Sequence, residues 1–123
     1  MQIGVDLIQV ERFEQVCNHH GDRFLARVFT DREREICRGD LRRLAGRYAA
    51  KEAVSKALGT GIGTGGILFH DIEVLRDQAG APVVTLHNAA KIRFDSMSGC
   101  SLALSISHEN DYAVAFCVIE TLN

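Results

Sequence analysis

The residues best suited to chemistry in this sequence are two carboxylates, a lysine and a histidine set in apolar or glycine-rich surroundings. Asp6 interrupts the apolar opening Ile3-Gly-Val-Asp6-Leu-Ile8. An acid in the middle of a strand either faces water or serves a hard cation. Magnesium takes one or two protein carboxylates and fills its other sites with water and phosphate oxygens. Glu52 and Lys56 stand four residues apart, which taken alone is an ordinary helical ion pair worth ~0.3–0.5 kcal/mol. Two carboxylates beside a lysine are also what a magnesium–diphosphate site requires, although spacing does not show that Asp6 and Glu52 meet. His108 follows Leu104-Ser-Ile-Ser107 at the end of an apolar run. There it is either an exposed turn residue or a phosphate-contacting donor or proton carrier.

Residues 59–66 read Gly-Thr-Gly-Ile-Gly-Thr-Gly-Gly and hold five of the eleven glycines. Positions 61–66 fit G-x-G-x-x-G, but in the wrong context. The dinucleotide fingerprint leaves a strand and opens a helix, whereas this stretch leaves a helix and leads toward a strand. No Gly-Lys-Ser/Thr follows, so it is not a P-loop. It is either a flexible connector or a surface without side chains against which a phosphate or nucleotide lies. Nucleophilic catalysis finds no support, because nothing local links a serine or cysteine to a histidine and a carboxylate. Cys17, Cys37, Cys100 and Cys117 show no C-x-x-C pairing, so neither zinc nor a disulfide framework is expected.

The elements that must position these groups follow from periodicity and punctuation. Residues 3–7 alternate as a short strand with Ile3, Val5 and Leu7 on one face and Asp6 on the other. A helix carrying Val10, Phe13 and Val16 or Cys17 ends near Gly21, and Asp22 caps a short helix over 23–28. Thr30 and Glu33 form a capping box for a helix that stops at Gly39. Asp40 starts the longest helix, 41–58, closed by Gly59. On that helix Gly46, Ala49, Ala50, Ala53, Val54 and Ala57 gather on one side, while Arg47, Tyr48, Lys51, Glu52, Ser55 and Lys56 spread over the opposite half-turn. Residues 71–76 and 82–87 flank a turn at 77–81, Asn88 caps a helix over 89–98, and a final hairpin pairs 102–107 with 112–119. The order is α+β, not the alternation of a parallel sheet.

With 46% hydrophobic and 24% charged residues, the chain fits one globular domain over residues 1–123. No apolar run approaches the ~20 residues of a bilayer span. The first ten residues lack a basic region and carry Asp6, which argues against a signal peptide. The net charge of −2 is not that of a general nucleic-acid binder. It is unevenly placed: residues 12–56 hold eleven Lys/Arg and seven acids, against three bases and nine acids elsewhere. The basic part suits an anionic partner.

A wider pattern joins these pieces. Ile3-Gly-Val-Asp6, Glu11-Arg12-Phe13, Arg23-Phe24 with Arg27-Val-Phe-Thr30, Arg47-Tyr-Ala-Ala-Lys-Glu52-Ala-Val-Ser-Lys56-Ala-Leu-Gly-Thr-Gly61, His70-Asp-Ile-Glu-Val74, Gly80-Ala-Pro82 and Ser105-Ile-Ser-His108 follow in order. The series resembles the short, single-domain class of 4'-phosphopantetheinyl transferases, from residue 3 to about 119. That resemblance implies a small antiparallel sheet with a long packed helix, assembled as a homotrimer with active sites at subunit boundaries. It implies transfer of 4'-phosphopantetheine from coenzyme A to a serine of apo acyl carrier protein, in the cytoplasm and in fatty acid biosynthesis. Neither nucleic acid nor membrane takes part.

By the same resemblance, Asp6 and Glu52 hold Mg2+ and Lys56 neutralises a phosphate oxygen. Arg47 and His108 contact coenzyme A phosphates, and Gly59, Gly61 and Gly63 border the nucleotide. Glu52, Lys56 and His108 are the implied catalytic groups, with either Glu52 or a metal-ordered water taking the serine proton. Arg12, Arg23 and Arg27 are expected to dock the acidic carrier. Two other classes share these features: a coenzyme-A-binding domain without activity, and an adaptor whose arginine face binds an acidic protein.

Overall fold

The frame is a helix laid diagonally across one face of a three-stranded antiparallel sheet. A computed structural model describes residues 1–122. In chain order these form β1 (Gln2–Gln9), α1 (Val10–Val28), α2 (Asp31–Cys37), α3 (Leu41–Ala57), β2 (Ile72–Arg76), β3 (Pro82–Leu86), α4 (Asn88–Ser96), β4 (Gly99–His108) and β5 (Tyr112–Thr121), with short 3-10 turns at Thr64–Gly66 and Phe69–Asp71. The sheet order is β1-β5-β4, and β2-β3 is a separate hairpin. The α+β plan holds. Among the described residues no helix is long and apolar enough to cross a membrane.

Local signals account for most boundaries. Gly21 breaks α1 with φ 62° and ψ −148°, so the two expected helices run on across a kink. Thr30 accepts from the Glu33 amide while the Glu33 carboxylate accepts from the Thr30 amide, which is the expected capping box. Asp40 caps α3 by accepting from the amides of Arg42 and Arg43. The expected cap at Asn88 is not formed. Asn88 adopts φ 47° and its amide nitrogen donates to Asp71 at 3.3 Å, so His87 holds the N-cap position of α4 without a side-chain cap bond. Asp71 itself belongs to the 3-10 turn, where its carboxylate accepts from the Leu68 amide.

The opening strand alternates as expected, but its apolar side is the exposed one. Ile3, Val5 and Leu7 are about half exposed or more, while Gly4, Asp6 and Ile8 turn toward α3. Gly4 is what permits this. A Cβ there would collide with the carbonyl oxygen of Ala53, so only glycine lets the helix lie this close. The helix answers with Ala49, Ala50, Ala53 and Ala57, all fully buried. Farther along, Gly46 meets Ile106 of β4, so the N-terminal half of α3 lies over one edge strand and its C-terminal half over the other.

The polar half-turn of α3 differs from the expectation in its middle. Lys51 and Ser55 are completely buried, not solvated. The Lys51 ammonium pairs with Glu33 at 2.8 Å and donates to the carbonyls of Ile72 and Phe69 at 2.7 and 3.0 Å. The other Glu33 oxygen accepts from the Val74 amide at 2.7 Å. A buried charge pair is tolerated only when its remaining hydrogen-bonding capacity is met, and here α2, α3 and β2 meet it together.

Candidate active site

Because Lys51, under α2 and β2, and Ser55 are both buried, the exposed polar residues of α3 divide into two groups. At about 100° per residue, Glu52 and Lys56 lie about 140–180° round the helix from Arg47. The first group stands by the edge strand β1. Lys56 Nζ donates to the Val5 carbonyl at 3.0 Å and meets Asp6 Oδ1 at 3.1 Å. Burial raises the Glu52 carboxyl above its ordinary range, the Asp6 charge adds to this, and Lys56 partly opposes it. Asp6, Glu52 and Lys56 therefore share one electrostatic neighbourhood, as the sequence pattern requires but could not demonstrate. Tyr48 borders it: burial, then Glu52, then Asp6 push its phenol up. Its ring stacks on Phe69 at 5.4 Å and leans on Phe13 at 5.5 Å.

The two carboxylates fit a hard divalent cation. They are oxygen donors, and each adds its negative charge to the same neighbourhood, where Lys56 is the cation that meets Asp6. Among the described residues no cluster of three or more metal-ligating side chains forms. A cation here would complete its shell with water and phosphate oxygens.

The second group stands by the other edge strand. Arg47, His108, Gly46, Gly80, Pro82 and Arg43 line a cavity of about 160 Å³. Arg47 is tethered by its Nε, which donates to the Val74 carbonyl at 3.2 Å. Arg42 reaches from the first turn of α3 to Asn110 in the turn beyond His108, at 3.4 and 3.5 Å, and so ties helix to hairpin. Arg47 and His108 thus line one cavity. They do not meet Lys56, Gly59, Gly61 or Gly63, which follow the other end of the helix.

The glycine segment has a conformational reason of its own. Gly59, Gly61, Gly63, Gly65 and Gly66 all adopt positive φ, which side-chain-bearing residues rarely do. The Gly61 amide donates back to the Ser55 carbonyl at 3.1 Å, which closes α3.

The arginines of α1 form a third feature. Arg12 borders a cavity of about 330 Å³ with Leu7, Phe13, Val16, Phe24 and Tyr48. Arg23 and Arg27 border the next, of about 440 Å³, which shares Val16 and Phe24 with the first. Arg27 also lies over the Phe24 ring at 5.9 Å. The three arginines thus line one continuous surface that ends at Tyr48, beside Glu52.

A family model described as the 4'-phosphopantetheinyl transferase superfamily matches residues 2–117. The chain belongs to the 4'-phosphopantetheinyl transferase superfamily. Within it, a holo-[acyl-carrier-protein] synthase of Solidesulfovibrio magneticus is 44% identical over 119 residues, covering 96% of each chain. The fold agrees with that of the Neisseria meningitidis holo-[acyl-carrier-protein] synthase, with a TM-score of 0.89 at 32% identity over 98% of both chains. It also agrees with the Helicobacter pylori synthase solved in complex with coenzyme A. That TM-score is 0.87 at 35% identity, covering 96% of this chain and 99% of that one.

Membership in this family sharpens the division of α3, because all the motif residues are present yet face two ways. Two lining residues carried no sequence-based role. Arg43 stands one helical turn before Arg47, a spacing visible in the sequence but hidden in a run of surface arginines. Tyr48 reads only as one residue of the polar half-turn until its place beside Glu52 and Asp6 is known.

Proposed function

We propose that this chain transfers the 4'-phosphopantetheine group of coenzyme A to a serine hydroxyl of apo acyl carrier protein, releasing adenosine 3',5'-bisphosphate, in fatty acid biosynthesis. The observation that carries the reading is the Asp6–Glu52–Lys56 cluster, in a member of this superfamily, at the end of an arginine-lined apolar surface. The serine oxygen attacks the phosphorus bearing the pantetheine arm. The bond from that phosphorus to the bridging oxygen breaks, and its electron pair leaves with the adenosine bisphosphate. Glu52 or an ordered water takes the serine proton. Lys56, held by Val5 and Asp6, neutralises a diphosphate oxygen. Asp6 and Glu52 would hold Mg2+, which when bound offsets charge on the diphosphate.

Arg47 and His108 contact coenzyme A phosphates in this reading, and their place on the far side of α3 supports an active site shared between neighbouring chains. The outward sheet face supports a homotrimer. Ile3, Val5 and Leu7 of β1 and Tyr112 and Phe116 of β5 are all exposed there, and apolar clusters of this kind mark contact surfaces. Arg12, Arg23 and Arg27 dock the acidic carrier through charge complementarity. The enzyme works in the cytoplasm as one domain over residues 1–123, without nucleic acid or membrane.

The test is to incubate the protein with coenzyme A, Mg2+ and apo carrier and to weigh the carrier intact. A gain of ~340 Da, characteristic of phosphopantetheinyl transfer, is expected with the wild-type chain and not with Glu52→Gln. Binding of coenzyme A without any gain in carrier mass would refute the enzymatic reading.

A further inference from the structure

The outward face of α1 carries two histidines among its arginines. His19 and His20 are exposed, and their rings meet edge to face at 4.7 Å. Both line the hollow that Arg23 and Arg27 border with Val16 and Phe24. Val16 and Phe24 also line the adjoining hollow, which contains Arg12 and ends at Tyr48. The histidines therefore sit inside the arginine-lined surface, and no acidic side chain lines either hollow. Of the acids on α1, Asp22 pairs with Arg34 of α2 at 2.9 Å, and Glu14 lies about 140° round the helix from His19. Glu11 stands about two turns away. Among the elements packed on α1, β1 brings only uncharged residues to this surface. From α3 comes Tyr48, whose phenol burial and Glu52 push up and so keep neutral. The 3-10 turn at Phe69–Asp71 brings His70, whose Nε2 meets the Ala26 carbonyl at 2.6 Å. No carboxylate of this chain is thus placed to compensate a charge on His19 or His20.

Arg12, Arg23 and Arg27 are cations at every physiological pH, whereas a histidine in water changes charge near pH 6.5. The carboxylates of an acidic protein stay ionised above about pH 5. Between pH 8 and pH 6, such a partner keeps its charge while this surface gains up to two positive charges. We propose that His19 and His20 belong to the surface that docks the acidic carrier protein and make its affinity rise as pH falls from 8 to 6, an inference that deepens the functional reading above and rests on it. An anionic partner favours the imidazolium form, so docking takes up protons. By linkage, a lower proton concentration then weakens docking.

The test measures the Kd of apo acyl carrier protein by calorimetry at pH 8 and pH 6, without coenzyme A. Wild type is compared with the double variants His19→Gln/His20→Gln and His19→Arg/His20→Arg. Two exposed ion pairs of ordinary strength correspond to about a fivefold change in affinity. Wild type should therefore bind about fivefold more tightly at pH 6, with proton uptake seen as a binding heat that depends on the buffer. The glutamine variant should keep the weaker affinity at both pH values, and the arginine variant the tighter one. A pH response as large in the glutamine variant as in wild type would overturn the proposal. So would a wild type that shows no pH response or no docking, or an arginine variant that binds no more tightly than wild type at pH 8. A wild-type chain that docks the carrier yet never changes its mass would overturn the transferase reading alone, and the titrations would still decide the role of the histidines.

Discussion

Lys51 and Lys56 lie five positions apart on one helix and do opposite things. Lys56 is half exposed and offers its charge to Asp6, whereas Lys51 has no exposure and spends all its hydrogen-bonding capacity on Glu33 and two carbonyls. Burial lowers the Lys51 pKa and the Glu33 carboxylate opposes that. Lys51→Met would leave Glu33 as an uncompensated buried charge, so unfolding in urea should show a loss of about 3–5 kcal/mol. Glu73 offers a pH-dependent counterpart. Burial works to raise its carboxyl pKa, but hydrogen bonds from Thr30 and His87 and the nearby Arg32 outweigh burial and lower it. A depressed carboxylate pKa contributes stability that is present above the unfolded value of about 4.3 and is lost as pH falls toward the folded value. The stability gap between wild type and Glu73→Gln, measured by thermal unfolding, should therefore shrink below about pH 4.3.

At the scale of elements, the close approach of α3 to β1 decides whether Lys56 reaches Asp6. The contact depends on a strand position with no side chain and on helix positions with almost none. Gly4→Ala places a methyl group on the Ala53 carbonyl. Relief requires the helix to lift, so a loss of about 2–3 kcal/mol is expected, in the range of overpacked cores. Carrier modification should fall with it, even at temperatures where the variant remains folded. Circular dichroism melts and the carrier mass assay check the two effects separately. The caps at Thr30 and Asp40 and the break at Gly21 were legible in the chain because each is a local bargain between a side chain and the nearest backbone groups. Asn88 was misread for the complementary reason: its amide found Asp71, seventeen residues away, before it could serve the helix beside it. The inward face of β1 is not legible in the sequence, because period-two alternation identifies two faces without saying which one the helix covers.

At the scale of the whole molecule, the two polar groups of α3 cannot touch one phosphate of one ligand within a chain. Arg47 and Glu52 point about 140° apart across a helix some 10–12 Å thick. A chain carrying Glu52→Gln and a chain carrying Arg47→Ala should each be inactive alone. After co-refolding, mixed assemblies should regain a measurable part of wild-type activity, since one boundary then has both groups intact. No recovery, with mixing confirmed by mass, would place both groups in one chain's site. Phe116→Asp, on the exposed sheet face, should reduce the assembly to monomers by light scattering and abolish transfer together with it.

By itself the sequence determined the family, the α+β order of elements, the chemical types at the site and the helix spacing of Glu52 and Lys56. Those properties are local, or are encoded in the succession of motifs along the chain. Tertiary structure decided that Asp6 faces α3, that Lys51 is a buried strut and not a surface charge, and that Arg43 joins Arg47 in a cavity while Lys56 turns to the other side. These outcomes depend on which elements cover which face. Helical periodicity assigns an angle to each side chain, but only the packing of α2, β2 and the sheet around α3 determines whether that angle meets protein, solvent or ligand.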